Sequence, residues 1–239
     1  MAPLAPTSLL LRTEGRARGD ETRQRLLDAA EKLFAHGGVR GVSLRDIVKT
    51  ASVNLAAVSY HFDSKENLFV QVFVRASEQF GKHLTEALER IPPHGAPDRL
   101  EQIIEAFLGT GLRMGEATEG SISTFIGLRN WLVAEDPALA AALLAQTQDS
   151  VGHAYIDALL EELPGLSRYD MVWRFHTLLA AMVYTVAHGG RLSALTDGKA
   201  DPHDIDETLR QLVPILAGAF RTPAPGAPRK RRSKRPSRP

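Results

Sequence analysis

The 239-residue chain contains no cysteine, which excludes disulfides, thiolate nucleophiles and Cys-ligated zinc and fits a reducing compartment. No apolar run approaches the ~20 residues that a membrane-spanning helix needs. The "SLLL" at 8–11 is too short for the core of a secretory signal, and basic residues follow it rather than lead it. A cytoplasmic protein without membrane contact is expected. Alternating strand patterns and fixed-period repeats are also missing. So are a Gly-rich phosphate loop, H-E-x-x-H and G-x-S-x-G. The eight histidines are scattered, and His83 and His94 are not spaced to share a metal on one helix. On these grounds no enzyme, no metal site and no cofactor is expected.

Charge is abundant but unevenly placed. Residues 1–65 hold ten Lys/Arg against seven Asp/Glu, residues 66–220 eleven against twenty-one, and residues 221–239 eight against none. A basic head, an acidic body and a basic tail point to phosphate partners for the ends and not for the middle. The first 19 residues, rich in Pro, Gly, Arg and Ala without a period, read as a flexible arm. Residues 221–239, ending "RKRRSKRPSRP", read as a disordered basic tail; they could add sequence-independent phosphate contacts or tether RNA or membrane.

Between these ends every element reads as helix. From Asp20, Leu26, Ala29, Ala30, Leu33 and Phe34 fall on one face, and Gly37–Gly38 supplies a stop. Ser43 and Asp46 form a capping box for a short helix with Leu44, Ile47 and Val48 inward. After the Ala51–Val53 turn, Asn54 caps a third helix running to about Phe62. Asp63 and Glu66 are spaced to open a long helix to about Ile91, stopped by Pro92–Pro93. Further helices are expected at about 98–112, 121–134, 137–163, 168–189 and 203–220. The fold class is all-α: three helices with a helix-turn-helix spacing over 20–66, and a larger helical bundle over 67–220.

Side-chain size carries the functional argument. The stretch "SVNLAAVSYHF", residues 52–62, is thin and partly polar where a core helix would carry leucines. A DNA major groove, about 12 Å wide, admits a helix only if its exposed face is not bulky. Ala56 and Ala57 leave room there, while Asn54, Ser59, Tyr60 and His61 can bond phosphates or base edges. Arg45 and Lys49 on the supporting helix can flank the groove, with Ser43 at its cap. Lys65 could share a phosphate with the next helix N-terminus. Val53 and Val58 are expected to be buried, and Leu55 fits either side. The plain alternative is a helical hairpin inside a core, which the basic neighbours argue against.

These residues carry a resemblance. "RLLDAAEKLFAHGGVRGVSLRDIVKTASVNLAAVSYHFDSKENLF", within 21–69, resembles the N-terminal domain of TetR-type transcriptional regulators. The resemblance implies phosphate contacts from Tyr60 and Lys65 and groove contacts from residues 54–61. Many members have Ser-Lys-Gly-Thr where this chain has Asn54-Leu55-Ala56-Ala57, so the usual lysine donor and threonine hydroxyl are gone. "FIGLRNWL" and "VWRFHTLLAAMVYTV" are similar to the regulatory domain of fatty-acid-responsive TetR repressors. That implies a homodimeric repressor on a palindromic double-stranded DNA operator, released by a small apolar, fatty-acyl-like effector. The competing expectation is a constitutive DNA-binding protein without an effector.

For the body, Phe80, Leu84, Phe107, Phe125, Arg129, Phe175, His176 and Leu179 are the candidate lining of an effector pocket, because helix bundles hold ligands between helices. Arg129, Arg174 and His176 could instead pair with Asp149, Asp157 or Glu135, the commoner fate of such residues. A single recognition helix reads few base pairs, so a two-fold dimer is expected. Its interface is predicted on 137–163 and 168–189, from Ala140, Leu143, Leu144, Val151, Ala154, Ala158, Leu178, Ala181, Met182 and Thr185. The helix 64–91, joining head to body, is the natural lever.

Overall fold

The computed structural model describes residues 7–116, 122–201 and 203–225, with side chains from residue 19 onward except 114–124. The described residues form α1 (Thr7–Gly41), α2 (Leu44–Ala51), α3 (Leu55–Phe62), α4 (Lys65–Glu89), α5 (Arg99–Glu116), α6 (Ile122–Glu135), α7 (Pro137–Glu162), α8 (Arg168–Leu195) and α9 (Ile205–Arg221), with no strand. The all-α expectation therefore holds. The basic run Arg229–Arg238 and residues 1–6 lie outside the described residues.

Local chemistry explains most boundaries. Both halves of the Ser43–Asp46 capping box are present, and Asn54 Oδ1 accepts from the Ala57 amide at 2.9 Å. Four boundaries differ from expectation. Helix α1 begins at Thr7 rather than Asp20, because Leu, Arg, Ala and Glu sustain helical backbone even without an apolar period. Its stop at Gly38 is an interruption (φ 63°, ψ −178°), after which one more helical turn reaches Gly41. Helix α4 is capped by Ser64, one residue after Asp63, which itself takes a positive φ of 62°. Helix α8 kinks at His188 and continues through Gly189–Gly190 to Leu195, where a break was expected.

Helices α1–α3 pack around Leu26, Phe34, Ile47, Val58 and Phe62, all buried. Helix α4 runs from this head through the centre of the body, touching α1, α5, α6 and α7. Arg75 on α4 donates to Asp28 at 2.7 Å and to buried Glu31, both on α1. On its body side, Ser77 meets Thr147 at 2.6 Å, and Gln148 donates to the Ser77 carbonyl at 2.6 Å. The Tyr155 hydroxyl donates to the Leu84 carbonyl at 2.9 Å, and burial pushes the phenol pKa up. These polar pairs satisfy groups that would otherwise be stranded in an apolar interior.

A second joint links head and body. Helix α6 lies against α1, not only against the bundle. A Cβ at Gly127 would sit 2.9 Å from the Ala35 carbonyl oxygen, and one at Gly38 would sit 2.9 Å from the Trp131 ring. Arg40 pairs with Glu135 at 3.6 Å beside them. The long helix α4 is thus one of two connections rather than the sole lever.

Half of the predicted dimer-interface residues are interior. Ala140, Leu143, Ala158, Leu178 and Met182 are buried within the subunit, because α7 turns its apolar stripe onto α4 and α8 turns one face onto α5. Apolar exposure lies instead on the outer face of α8, at Tyr169, Val172, Trp173 and Tyr184, and at Ile215 on α9.

Gly38→Ala should lower the unfolding free energy by roughly 2 kcal/mol, since a Cβ at positive φ and against Trp131 costs on both counts. Gly41→Ala, with open space around it, should stay within about 0.5 kcal/mol. Urea denaturation of the two variants checks the contrast.

Candidate functional site

The head presents α3 outward on a rigid base. Val58 and Phe62 anchor it in the core, Arg23 stacks over the Phe62 ring at 5.5 Å, and the same guanidinium donates to Gln71 at 2.6 Å. The free face carries Asn54, Leu55, Ala56, Ser59 and Tyr60. Tyr60 is 82% exposed, so its ring and hydroxyl project clear of the protein. Leu55, left open by periodicity, is 48% exposed and belongs to this face. Val53 is half-buried rather than fully buried.

Around it, Ser43, Arg45 and Lys49 are exposed on and before α2, with Thr50 in its last turn and Ser52 just beyond its end. The last two escaped sequence reasoning, which weighed only charge and the α3 face. Hydrogen bonds from Ser43 hold the Asp46 carboxyl below the usual range, keeping an acceptor on the cap. Three candidates are less free than expected. Ala57 packs partly on the core, His61 is half-buried with its ring edge-on to Tyr60 at 4.8 Å, and the Lys65 ammonium donates to the Val42 carbonyl at 3.1 Å. Lys65 keeps further N–H donors for a phosphate; Asn54 keeps its amide N–H groups although its oxygen serves the cap.

The body holds a cavity of about 310 Å³ between α4, α5, α6, α7 and α8. Seven of the eight sequence candidates line it: Phe80, Leu84, Phe107, Phe125, Arg129, Phe175 and Leu179. His176 does not; it faces a neighbouring surface hollow of about 640 Å³ with Asn130, Ala180 and Val183. It is exposed on the outer side of α8, with its ring edge-on to Trp173 at 6.4 Å. Leu144, Val151 and Met182, expected at a dimer interface, line the cavity instead. Met182 follows Phe175 by two turns and was legible from helical spacing; the α7 lining was not. Arg174, a second candidate anchor, donates to the carbonyls of Phe220 at 3.1 Å and Thr222 at 2.6 Å and so caps the end of α9.

Cavity and head share one run of rings. Phe34 of α1 meets Phe69 at 5.3 Å, Phe69 meets Phe73 at 6.4 Å, and Phe73 meets Phe125 at 5.6 Å. Phe125 then meets Phe80 at 5.2 Å in the cavity wall. Close-packed rings of this kind transmit displacement because a core has no slack to absorb it.

No helix among the described residues is long and apolar enough to cross a membrane. Comparison with known proteins gives the fold and site a context. The chain is 36% identical over 72 residues to the HTH-type transcriptional regulator AcrR of Shigella flexneri, covering 30% of this chain and 34% of that protein. It is 27% identical over 175 residues to the HTH-type transcriptional dual regulator CecR of Shigella flexneri, covering 70% and 76%. The matched stretch thus spans about a third of the length of AcrR. Among solved structures, the fatty acid degradation regulator FadR of Bacillus halodurans superposes with a TM-score of 0.62 at 13% identity, over 84% of this chain and 96% of that one. The TetR family transcriptional regulator PfmR of Thermus thermophilus gives 0.57 at 18% identity, over 81% and 97%. At these identities the structures speak for the fold alone. The family model described as "Bacterial regulatory proteins, tetR family" matches residues 26–72, and the one described as "Tetracyclin repressor-like, C-terminal domain" matches residues 105–219. With head and body both matched, the chain belongs to the TetR family of bacterial regulatory proteins.

Proposed function

We propose that this protein is a ligand-responsive transcriptional repressor that binds a palindromic DNA operator as a homodimer. The observation that carries the reading is the outward face of α3: small or polar at Asn54, Ala56 and Ser59, projecting Tyr60, flanked by Arg45 and Lys49, and exposed among the described residues. A helix of that profile fits a major groove, and cations beside it meet the phosphates. The curated relative AcrR is a regulator with the helix-turn-helix head, which supports the same reading.

A homodimer is supported by the outer face of α8. Tyr169, Val172, Trp173, His176, Ala180 and Tyr184 recur at helical spacing on that face, and Trp173 is 60% exposed. Exposed aromatics on one stripe are costly unless covered, and two-fold pairing covers the same patch on both copies. Half-sites are then expected about 34–36 Å apart or at a multiple of that spacing.

An effector is supported by the cavity and its ring contacts to the head. A ligand that fits the cavity better in one arrangement of α4 and α6 shifts the population of head positions. About 1.4 kcal/mol of such coupling changes operator affinity tenfold. A constitutive DNA-binding protein would need no such cavity.

Selection from a random duplex pool tests the proposal: it should yield a two-fold symmetric site, and a failure to enrich any duplex at low salt contradicts it. Against the selected site, Arg45→Ala and Lys49→Ala should each flatten the log–log salt dependence by about one and leave base preference unchanged. Ala56→Leu should abolish specific binding while thermal stability holds. Fluorescence anisotropy across a salt series measures all three. In the dimer, Trp173→Glu should give monomers by analytical ultracentrifugation, whereas an unchanged dimer places the interface elsewhere.

A further inference from the structure

We infer that the body cavity takes an anionic amphiphile, whose single acidic group pairs with Arg129 while its apolar part lies among the phenyl rings. The inference rests on the effector-binding reading above and names the chemistry of that effector.

The argument begins with how this protein treats its other half-buried arginines. Arg23 donates to Gln71, Arg75 to Asp28 and Glu31, Arg99 to Glu162, and Arg174 to three backbone carbonyls. Arg129 is half-buried on α6 and has no hydrogen-bond or ion-pair partner among the described residues. Burial lowers its pKa, the mark of a cation losing water without gaining an anion. A guanidinium does not escape this cost by deprotonating, because it stays charged throughout the accessible pH range.

Position turns that cost into recognition. Arg129 lies one helical turn beyond Phe125, and it borders both the aromatic cavity and the neighbouring surface hollow, with Leu179 as their other shared wall. An acid at Arg129 therefore has an apolar chamber on one side and, on the other, a hollow whose α8 wall belongs to the face assigned above to the partner copy. The planar guanidinium offers two parallel N–H donors to a carboxylate or to a sulfate or phosphate monoester. The acid that also lines the cavity, Asp149, is exposed on α7 and forms no ion pair with Arg129. Its charge disfavours a second negative charge on the ligand. A cation would meet the guanidinium directly, and a neutral ligand would leave it unpaired. A volume of about 310 Å³ holds on the order of ten water-sized groups at ~30 Å³ each, so the apolar part is of medium length.

The experiment compares four probes that share one ten-carbon tail: decanoate, decyl sulfate, decanol and decyltrimethylammonium. Binding to the full chain is measured by calorimetry, for wild type, Arg129→Gln and Arg129→Lys. Decanoate or decyl sulfate should bind wild type at least tenfold more tightly than decanol, and whichever of the two is tighter identifies the acid. Arg129→Gln should erase that preference while decanol binding stays unchanged, and Arg129→Lys should restore part of it. Decanol matching both acids on wild type, which needs no variant to fold, overturns the inference. So does an acid preference that survives Arg129→Gln, or no binding by any probe. Operator release, followed in parallel, keeps the two readings apart: release by decanol alone sinks the anion and spares the effector, whereas the effector reading fails only if no small molecule alters operator binding.

Discussion

The molecule depends on one close approach. At Gly127 the backbone of α6 lies against the Ala35 carbonyl of α1, at a separation that leaves no room for a side chain. A turn further on, Trp131 covers Gly38, whose positive φ also requires glycine. Two glycines on facing helices thus let a helix of the body seat directly on the first helix of the head. Helix α4 runs in parallel as a covalent connection, fixed to α1 by Arg75 and to α7 by Ser77 and Gln148. With two joints rather than one, the head is oriented by the body instead of hanging from it.

That geometry gives the proposed switch its physical content. Phe125, Ile126 and Arg129 of α6 line the cavity, while Gly127 and Trp131 of the same helix touch α1. A ligand that moves α6 against a close-packed neighbour must move α1 or open a void, and voids are costly. The rings from Phe80 through Phe125, Phe73 and Phe69 to Phe34 provide a second packed path along α4. The head, in turn, commits few residues: α3 offers small side chains and Tyr60, and its polar atoms are partly spent on holding its own helix together.

Much of this was legible in the sequence because it is local. Caps at Ser43 and Asn54, the buried faces of α1 and α4, and the thin profile of α3 follow from periodicity and side-chain size alone. Seven of the eight candidates line the cavity because large apolar side chains flanking a lone arginine on successive helices had few other places to go. What was not legible is tertiary. The apolar residues of α7 suit a helix of the same subunit as well as one of a partner; Ala140, Leu143 and Ala158 are buried within the subunit here, while Ala154 is exposed. His176 and Phe175 are sequence neighbours, yet helical geometry turns one to the outer face of α8 and the other into the cavity. Gly127 gave no signal at all, since its role is set by a backbone far away in the sequence.

The central claim, that the α1–α6 contact sets how the two heads of the proposed dimer are spaced, can be measured directly. Because the chain has no cysteine, Glu66→Cys places one spin label per subunit at the head end of α4, and pulsed dipolar spectroscopy reads the distance between copies. Adding Gly127→Ala, which forces a Cβ against the Ala35 carbonyl, should shift or broaden that distance distribution while the dimer and its helical content persist. Superimposable distributions from the two proteins, or no dipolar signal from either, contradict the account.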